Sequence, residues 1–323
     1  MNLPSEFINN IEGTFGEAGR QFLANLSASV YEASQKWNLT DVQPVPTLSY
    51  NFAAFANRGD EQVVLKMGVP DRELKSEMAA LSLFNGEGAC RLIDYDEEKY
   101  WMLLERLKPG AMLLTLEDDE EMTHIAAEVA LKIWRSMESG SSLHSQGGLP
   151  NIQQWRHGTI GLHNFIRLSD WFAGLKKLRA KFNGGTGPFN EKLVTRVEHS
   201  VQDFFAENHK PVLMHGDFHH YNILSSGRGW LVIDPKGVIG PACYEVGPFL
   251  INPWPDFLKR QNHRQITQRR IAILHEHLGF ERERIREWGL AHAILSSWWS
   301  MEGSGDWRYT AEFAEMIADL DLS

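Results

Sequence analysis

Residues 211–237, PVLMHGDFHHYNILSSGRGWLVIDPKG, restrict the possible folds of this chain more than any other segment. Short apolar runs alternate here with polar loops, whereas the segments around it have apolar residues at helical spacing. The pattern predicts a strand, a polar loop, a second strand, a turn and a third strand. A largely helical half of the protein must therefore accommodate a β-hairpin.

The first 110 residues follow a different pattern. Residues 5–37 have helical spacing, weakened by three glycines near the middle, and predict a leading helix. The runs TLSYNFAAFA and QVVLKMG, joined by the turn NRGD, predict a hairpin. Residues 71–85 predict a helix with Asp71 as its N-cap. After it, ACRLIDYD and YWMLLERL predict another pair of strands.

Helical patterns dominate after this region, over residues 117–137, 162–182 and 190–208 and again beyond Pro241. The predicted fold class is therefore α+β with two parts. Residues 1–109 would form a small lobe containing a β-sheet and one key helix. Residues 110–323 would form a larger, mainly helical lobe that carries the hairpin, and the connector LERLKPG would join the two.

The charge balance limits the classes of partner. The chain of 323 residues has 42 acidic and 32 basic residues, and its longest basic cluster is the short run in GLKKLRAKF. Nucleic acid is therefore not an expected partner. A net charge of −10 favours a cationic small molecule instead, although only weakly, because many enzymes are acidic.

The cysteines and the N-terminal sequence indicate the compartment. Cys90 and Cys243 lie far apart and outside any CxxC spacing, which predicts neither a disulfide framework nor a thiolate zinc site. The start, MNLPSEFINN, has no basic region followed by an apolar core, and no run approaches 18 apolar residues. These features predict a cytoplasmic protein that does not bind a membrane.

Three polar side chains within residues 211–237 are the candidates for the chemistry. Asp217 follows the apolar run PVLM, Asn222 stands five residues later, and Asp234 ends the run WLVI. A hairpin would bring all three together. Phosphoryl transfer needs a carboxylate that accepts the proton of the acceptor hydroxyl, and oxygen ligands that hold Mg²⁺ on the nucleotide phosphates. These residues meet both needs.

HGDFHHYN followed by IDPKG resembles the catalytic and metal-binding segments of aminoglycoside phosphotransferases, bacterial relatives of protein kinases. The resemblance implies a two-lobed protein-kinase-like fold with ATP and Mg²⁺ bound between the lobes. It implies that Asp217 is the catalytic base and that Asn222 and Asp234 bind the metal. The GxGxxG loop and the DFG sequence of protein kinases are both absent, so the nucleotide loop around TLSYNFAAF is left without assigned contacts.

Upstream residues extend the resemblance over about residues 47–250. Lys66 ends the run VVLK and resembles the lysine that contacts nucleotide phosphates, with Glu77 as its helix partner. Glu73, one turn earlier on the same face, is an alternative partner. LLERLKPG falls at the expected hinge, so backbone groups around Glu105 and Leu107 are candidates for binding adenine.

The segment IDPKGVIGPACYEVGPFLINP is similar to streptomycin 6-phosphotransferases and hydroxyurea-type resistance kinases. This resemblance implies an antibiotic-resistance kinase whose acceptor is small and cationic, such as streptomycin. Guanidinium groups pair with carboxylates. Four acidic residues in or after this segment are therefore candidate acceptor contacts: Glu245, Asp256, Glu302 and Asp306.

Other interpretations of the same residues stay open. The acceptor could instead be a sugar, an amino alcohol or another metabolite, and the nucleotide could be GTP. A regulatory nucleotide-binding module is a further alternative, although it would be expected to lack the base or a metal ligand. His219 and His220 beside Asp217 superficially resemble a metal-hydrolase cluster, which is the third alternative. His215 is expected to support the loop by hydrogen bonds.

Overall fold

The computed structural model describes residues 3–137, 162–207, 210–303 and 305–322 of the chain. Helices and strands alternate in its N-terminal part, and helices dominate the rest. None of the helices within these ranges combines the length and the apolar character needed to cross a bilayer.

The α-helices of this part of the chain are α1 (Ser5–Trp37), α2 (Arg72–Phe84), α3 (Asp119–Ile133), α4 (Leu168–Phe172), α5 (Gly174–Lys181), α6 (Glu191–Ala206), α7 (Val246–Ile251), α8 (His263–Leu278), α9 (Arg282–Glu302) and α10 (Arg308–Ala318). The strands are β1 (Leu39–Pro44), β2 (Phe52–Arg58), β3 (Glu61–Met67), β4 (Leu92–Asp96), β5 (Trp101–Glu105), β6 (Pro109–Met112), β7 (Arg135–Ser136), β8 (Ile166–Arg167), β9 (Val212–Met214), β10 (Ile223–Ser226), β11 (Gly229–Val232) and β12 (Val238–Gly240).

The N-terminal sheet is antiparallel and has the strand order β1-β2-β3-β5-β4. The predicted hairpin is confirmed as β2 and β3, which pair without a break from Phe52 opposite Met67 to Arg58 opposite Glu61. The predicted strand pair that follows is β4 and β5. Strand β1 was not predicted, because its alternation is short and ends at Pro44.

The leading helix has the predicted extent but breaks at Gly16, where φ is 55° and ψ is −125°. A Cβ atom on Gly19 would lie only 2.4 Å from the carbonyl oxygen of Ile11. Residues eight positions apart in a straight helix are about 12 Å apart along the axis. The two halves of α1 therefore fold back on each other, and only glycine readily adopts the backbone conformation that this reversal requires.

Helix α2 forms as predicted, because its signals are local. The Asp71 side chain accepts a hydrogen bond from the backbone N–H of Leu74 at 2.7 Å, which caps the first turn. Asn85 ends the helix in the left-handed conformation. The buried face is apolar at Met78, Leu81 and other positions, but it also includes Glu77.

The strands of residues 211–237 belong to two smaller sheets, with strand orders β11-β10-β6 and β7-β9-β12-β8. The three strands predicted within residues 211–237 are confirmed as β9, β10 and β11. The helix predicted over residues 162–182 is wrong at Ile166 and Arg167. These residues form β8, because they pair in parallel with β12 and the N–H of Ile166 donates to the Gly237 carbonyl. The helix predicted over 190–208 forms as α6, and Asn208 lies outside the described residues.

Buried apolar side chains form two clusters. The smaller cluster joins α1 to the N-terminal sheet and contains Phe7, Ile11 and Phe52. The larger cluster begins in α2 and continues through the C-terminal helices to Leu320. Apolar packing therefore continues across residue 109, and the division into lobes at that residue stays a prediction.

The reversal at Gly16 gives a prediction with an internal control. We expect Gly16→Ala to lower the free energy of unfolding by about 1–3 kcal/mol, because alanine is strained at this φ and ψ. Gly13→Ala, three residues earlier with no neighbouring atom within 4 Å of the new Cβ, should raise stability by about 0.5–1 kcal/mol. Urea denaturation of both variants measures these changes. Equal effects from the two substitutions would contradict a chain reversal at Gly16.

Candidate active site

The loop between β9 and β10 brings the predicted base and one predicted metal ligand together. Gly216 turns the chain with a φ of 87°, and a Cβ atom there would lie 2.4 Å from the side chain of Val238. Asn222 closes the loop, because its Nδ2 donates to the backbone carbonyl of Asp217 at 3.0 Å. The amide oxygen of Asn222 is thereby left available to a metal.

His215 supports this loop, as its sequence context predicted. Its Nδ1 accepts the N–H of Asp217 at 3.1 Å, so Nε2 carries the proton and donates to the carbonyl of Ile233 at 2.7 Å. Burial lowers the pKa of His215 to about 4. The ring is therefore neutral near pH 7 and holds the loop against the segment that precedes Asp234.

Glu245 also supports the loop, which corrects its prediction as an acceptor contact. The residue is fully buried, and its two carboxylate oxygens accept the N–H groups of His215 and Gly216 at 2.7 and 2.8 Å. A carboxylate committed in this way cannot reach a guanidinium group in a cleft. Sequence alone missed this role because the three residues meet only through the tertiary fold.

Lys66, only 3% exposed, is held by two carboxylates. Its Nζ lies 2.5 Å from Glu77 Oε1 and 3.1 Å from Asp234 Oδ1. Burial by itself lowers the pKa of a lysine, but Asp234 and Glu77 outweigh burial and raise the pKa of Lys66. The ammonium group therefore stays charged at neutral pH. Glu73, the alternative partner, contacts Lys236 at 3.0 Å instead.

Asp234 lies where β11 has ended, with a φ of 57° that is unusual for a residue other than glycine. One oxygen contacts Lys66, while about half of the side chain is exposed. Mg²⁺ in kinases is held by one or two carboxylate or amide oxygens together with the substrate phosphates. The half-exposed carboxylate of Asp234 and the amide oxygen of Asn222 are hard donors of the kind this ion requires.

The carboxylate of Asp217 is ionised. Burial alone would raise the pKa of Asp217, but the His219 ring at 3.4 Å and the Lys236 ammonium group more than offset it and hold the pKa well below the usual range. His219 is oriented by its own backbone contact, because its Nδ1 accepts the N–H of Tyr221. An ionised carboxylate can accept a proton from a hydroxyl group, as a general base must.

The two histidines after Asp217 have separate partners. His220 is fully buried, stacks on Phe249 and contacts the guanidinium of Arg270 through Nε2 at 3.3 Å. His219 instead faces the carboxylate of Asp217. The rings therefore do not converge on one point as a pair of metal ligands would. Within the described ranges, no three His, Cys, Asp or Glu side chains cluster as a metal site.

The predicted hinge residues lie at the end of β5. The N–H of Glu105 donates to the carbonyl of Arg91 at 2.9 Å, and its carboxylate pairs with Arg228 on the hairpin. Leu107 is buried in the larger core. The side chains of Glu105 and Leu107 therefore have structural contacts, and adenine binding by their backbone groups stays a prediction.

The other predicted acceptor carboxylates lie on the surface. Asp256 is exposed and pairs with Lys259, while Glu302 ends α9 at 3.9 Å from Lys177. Asp306 borders a pocket of about 320 Å³ whose wall includes Trp254 and Tyr309. The residues that line this pocket are Trp254, Pro255, Leu258, Lys259, Asp306, Arg308, Tyr309 and Glu312.

This pocket is connected to the loop that carries Asp217. The hydroxyl group of Tyr221, four residues after Asp217, donates to the carbonyl of Trp254 at 2.8 Å. The indole of Trp254 is 52% exposed, which is unusual for such a large apolar side chain, whereas Trp288 and Trp298 are buried in the core.

Comparisons with known proteins agree with this geometry. The family model described as aminoglycoside/hydroxyurea antibiotic resistance kinase matches residues 36–303. A streptomycin 6-kinase from Streptomyces griseus is 26% identical over 304 residues, which cover 94% of this chain and 92% of that protein.

Two solved structures show the same fold. Aminoglycoside phosphotransferase APH(4)-Ia has a TM-score of 0.59 at 15% identity, covering 91% of this chain and 98% of its own. A choline/ethanolamine kinase family protein from Mesorhizobium loti has a TM-score of 0.58 at 14% identity, covering 94% of both chains. At these identities the likeness concerns the fold alone.

The class is therefore a small-molecule kinase with a protein-kinase-like fold of mixed helix and sheet. The chain belongs to the aminoglycoside/hydroxyurea antibiotic resistance kinase family, whose model matches most of its length. The resemblance inferred from the sequence is confirmed.

The buried carboxylate beneath the loop predicts a pH dependence of stability. Burial raises the pKa of Glu245 from its usual 4.5 to about 7, although the N–H groups of Gly216 and His215 act in the opposite direction. The unfolded chain thus loses this proton near pH 4.5, and the folded chain keeps it until about pH 7. The contribution of Glu245 to the free energy of unfolding is full below pH 4.5 and falls as the pH rises to 7.

We therefore expect the stability of the wild type to fall relative to Glu245→Gln as the pH rises from 4.5 to 7, and the difference to level off above pH 7. Urea denaturation of both proteins across this range measures it. Parallel stability curves would show that Glu245 does not titrate in this window.

Proposed function

We propose that this protein transfers the γ-phosphoryl group of ATP to a hydroxyl group of a small cationic acceptor, with streptomycin as the first candidate. The observation that carries the proposal is the convergence of the Lys66 ion pairs and the Asp217 loop on the segment around Asp234. Phosphoryl transfer depends mainly on positioning and on charge stabilisation, and this arrangement provides both.

Each residue has one role in the proposed reaction. Asp217 accepts the proton of the acceptor hydroxyl as the oxygen attacks the γ-phosphorus. The bond from that phosphorus to the bridging oxygen breaks, and its electron pair leaves with ADP. Lys66, oriented by Glu77, holds the nucleotide phosphates. The adenine would lie against the backbone near residues 105–107, between lobes formed by residues 1–109 and 110–323.

Asn222 and Asp234 are the proposed Mg²⁺ ligands. When bound there, the ion would neutralise charge on the nucleotide phosphates. The donor set supports this assignment, since both residues offer an oxygen that is not used up by the loop itself.

The proposed acceptor site lies beside Tyr221, at the pocket next to Trp254. An exposed indole binds cations over its face, and carboxylates pair with guanidinium groups. Asp306, which borders this pocket, is retained as a candidate contact, together with Asp256 and Glu302. The relation to streptomycin 6-kinase supports the choice of acceptor.

An amino alcohol is the second candidate acceptor. The fold is shared with a choline/ethanolamine kinase family protein, and an exposed tryptophan suits a quaternary ammonium group as well as a guanidinium group. For either acceptor the cytoplasm is the proposed compartment, because ATP is the donor and both Cys90 and Cys243 are free thiols.

The test is an acceptor assay with purified protein, ATP and Mg²⁺. We expect streptomycin to stimulate ADP release and to gain one phosphate by mass spectrometry. Asp217→Asn should lower kcat by about 10²–10⁴-fold, the usual contribution of a general base. ATP affinity should change little in this variant, because the lost interaction belongs mainly to the transition state.

Two outcomes would contradict parts of the proposal. Turnover with choline or another metabolite hydroxyl, but none with millimolar streptomycin, would retain the kinase and reject this acceptor. Near-wild-type turnover in Asp217→Asn would reject Asp217 as the base.

A further inference from the structure

Lys236 is a cation near the proposed reaction centre to which the sequence assigned no role. It stands in the IDPKG sequence, two residues after Asp234. Its backbone N–H donates to the carbonyl of His215 at 2.7 Å, which fixes it against the loop that carries Asp217. Its ammonium group contacts Glu73 of α2 at 3.0 Å.

The charge of Lys236 acts on both carboxylates of the proposed reaction. It contributes to lowering the pKa of Asp217 and that of Asp234. In the proposed reaction the phosphoryl group moves from a nucleotide bound at Asp234 to a hydroxyl group held by Asp217. The backbone contact with His215 and the place two residues after Asp234 put Lys236 between the loop of Asp217 and the segment of Asp234, which are the two ends of this path.

Lys236 also has fewer carboxylate partners and a more exposed side chain than Lys66, the other lysine of the site. Lys66 is buried, with two carboxylate partners. The side chain of Lys236 is about one-third exposed and has one carboxylate contact, to a glutamate that is itself nearly half exposed. An ammonium group has three donors, so Lys236 retains capacity for a further anionic ligand.

If Lys236 had only a structural role, its ion pair with Glu73 would serve to hold α2 against the segment after Asp234. Another contact already holds these two elements together. The hydroxyl group of Ser76 donates to the carbonyl of Gly237 at 2.7 Å, and a Cβ atom on Gly237 would lie 2.6 Å from the Ser76 carbonyl oxygen. This junction is buried and closely packed, whereas a part-exposed ion pair adds little stability.

We propose that Lys236 is a catalytic residue whose ammonium group contacts the γ-phosphoryl group of bound ATP and stabilises its charge during transfer. This inference rests on the nucleotide half of the proposed function and not on the identity of the acceptor. Lysine suits the task because its compact charge pairs with phosphate oxygens.

The test compares Lys236→Met with Glu73→Gln, which breaks the same ion pair but keeps the ammonium group. Calorimetry without acceptor gives the Kd of Mg·ATP and of Mg·ADP for each protein. We expect Lys236→Met to weaken ATP binding by about 10–100-fold, the range for losing a charged hydrogen bond. ADP binding, which lacks the γ-phosphate, should change by less than about threefold in the same variant, and it also reports correct folding.

Glu73→Gln should keep the wild-type ratio of ATP to ADP affinity. With an accepted substrate, kcat should fall strongly in Lys236→Met and remain within about threefold of the wild type in Glu73→Gln, since a part-exposed ion pair contributes little. Equal losses of ATP and ADP affinity, equal losses in the two variants, or an unchanged Lys236→Met would each overturn the proposal. Loss of ATP preference in Lys236→Met with no turnover of streptomycin would reject only the acceptor.

Discussion

A buried ammonium group has to be neutralised, and the way Lys66 is neutralised organises the rest of this site. An unpaired charge in an apolar interior costs several kcal/mol, about 3–5 kcal/mol when one partner of a buried pair is removed. Glu77 comes from α2 and Asp234 from the segment after β11, while Lys66 itself lies on β3. One lysine thus joins two neighbouring elements, β3 and α2, to a segment at Asp234, more than 160 residues after the lysine in the chain.

The segment that contains Asp234 extends this organisation to the reacting groups. Its residues contact β3 through Lys66, the Asp217 loop through His215, and α2 through Ser76. Beneath the loop, the buried carboxylate of Glu245 accepts two backbone N–H groups. The proposed base and the proposed metal ligands are therefore held by a framework of backbone contacts, as precise positioning of a phosphoryl acceptor requires.

The sequence predicted the parts of this framework whose signals are local. The N-cap Asp71, the alternation of β2 and β3 and the order of the motifs gave α2, the hairpin and the family. Strand β12 was missed because three residues are too few to show a period, and its hydrogen bonds come from β8 and β9. The burial of Glu245 was missed because it depends on partners 29 and 30 residues away. A carboxylate in a one-dimensional sequence does not reveal whether it faces solvent or the backbone of a distant loop.

The most direct measurement of the central claim is a double-mutant cycle on Lys66→Met and Glu77→Gln, read as the free energy of ATP binding. If the ion pair orients the lysine, the double variant should lose less than the sum of the single variants, with a coupling of about 1 kcal/mol or more. The parallel cycle of Lys66→Met with Glu73→Gln should be additive within about 0.5 kcal/mol, because Glu73 contacts Lys236 instead. Additivity in the first cycle would contradict the claim that this buried ion pair organises the nucleotide site.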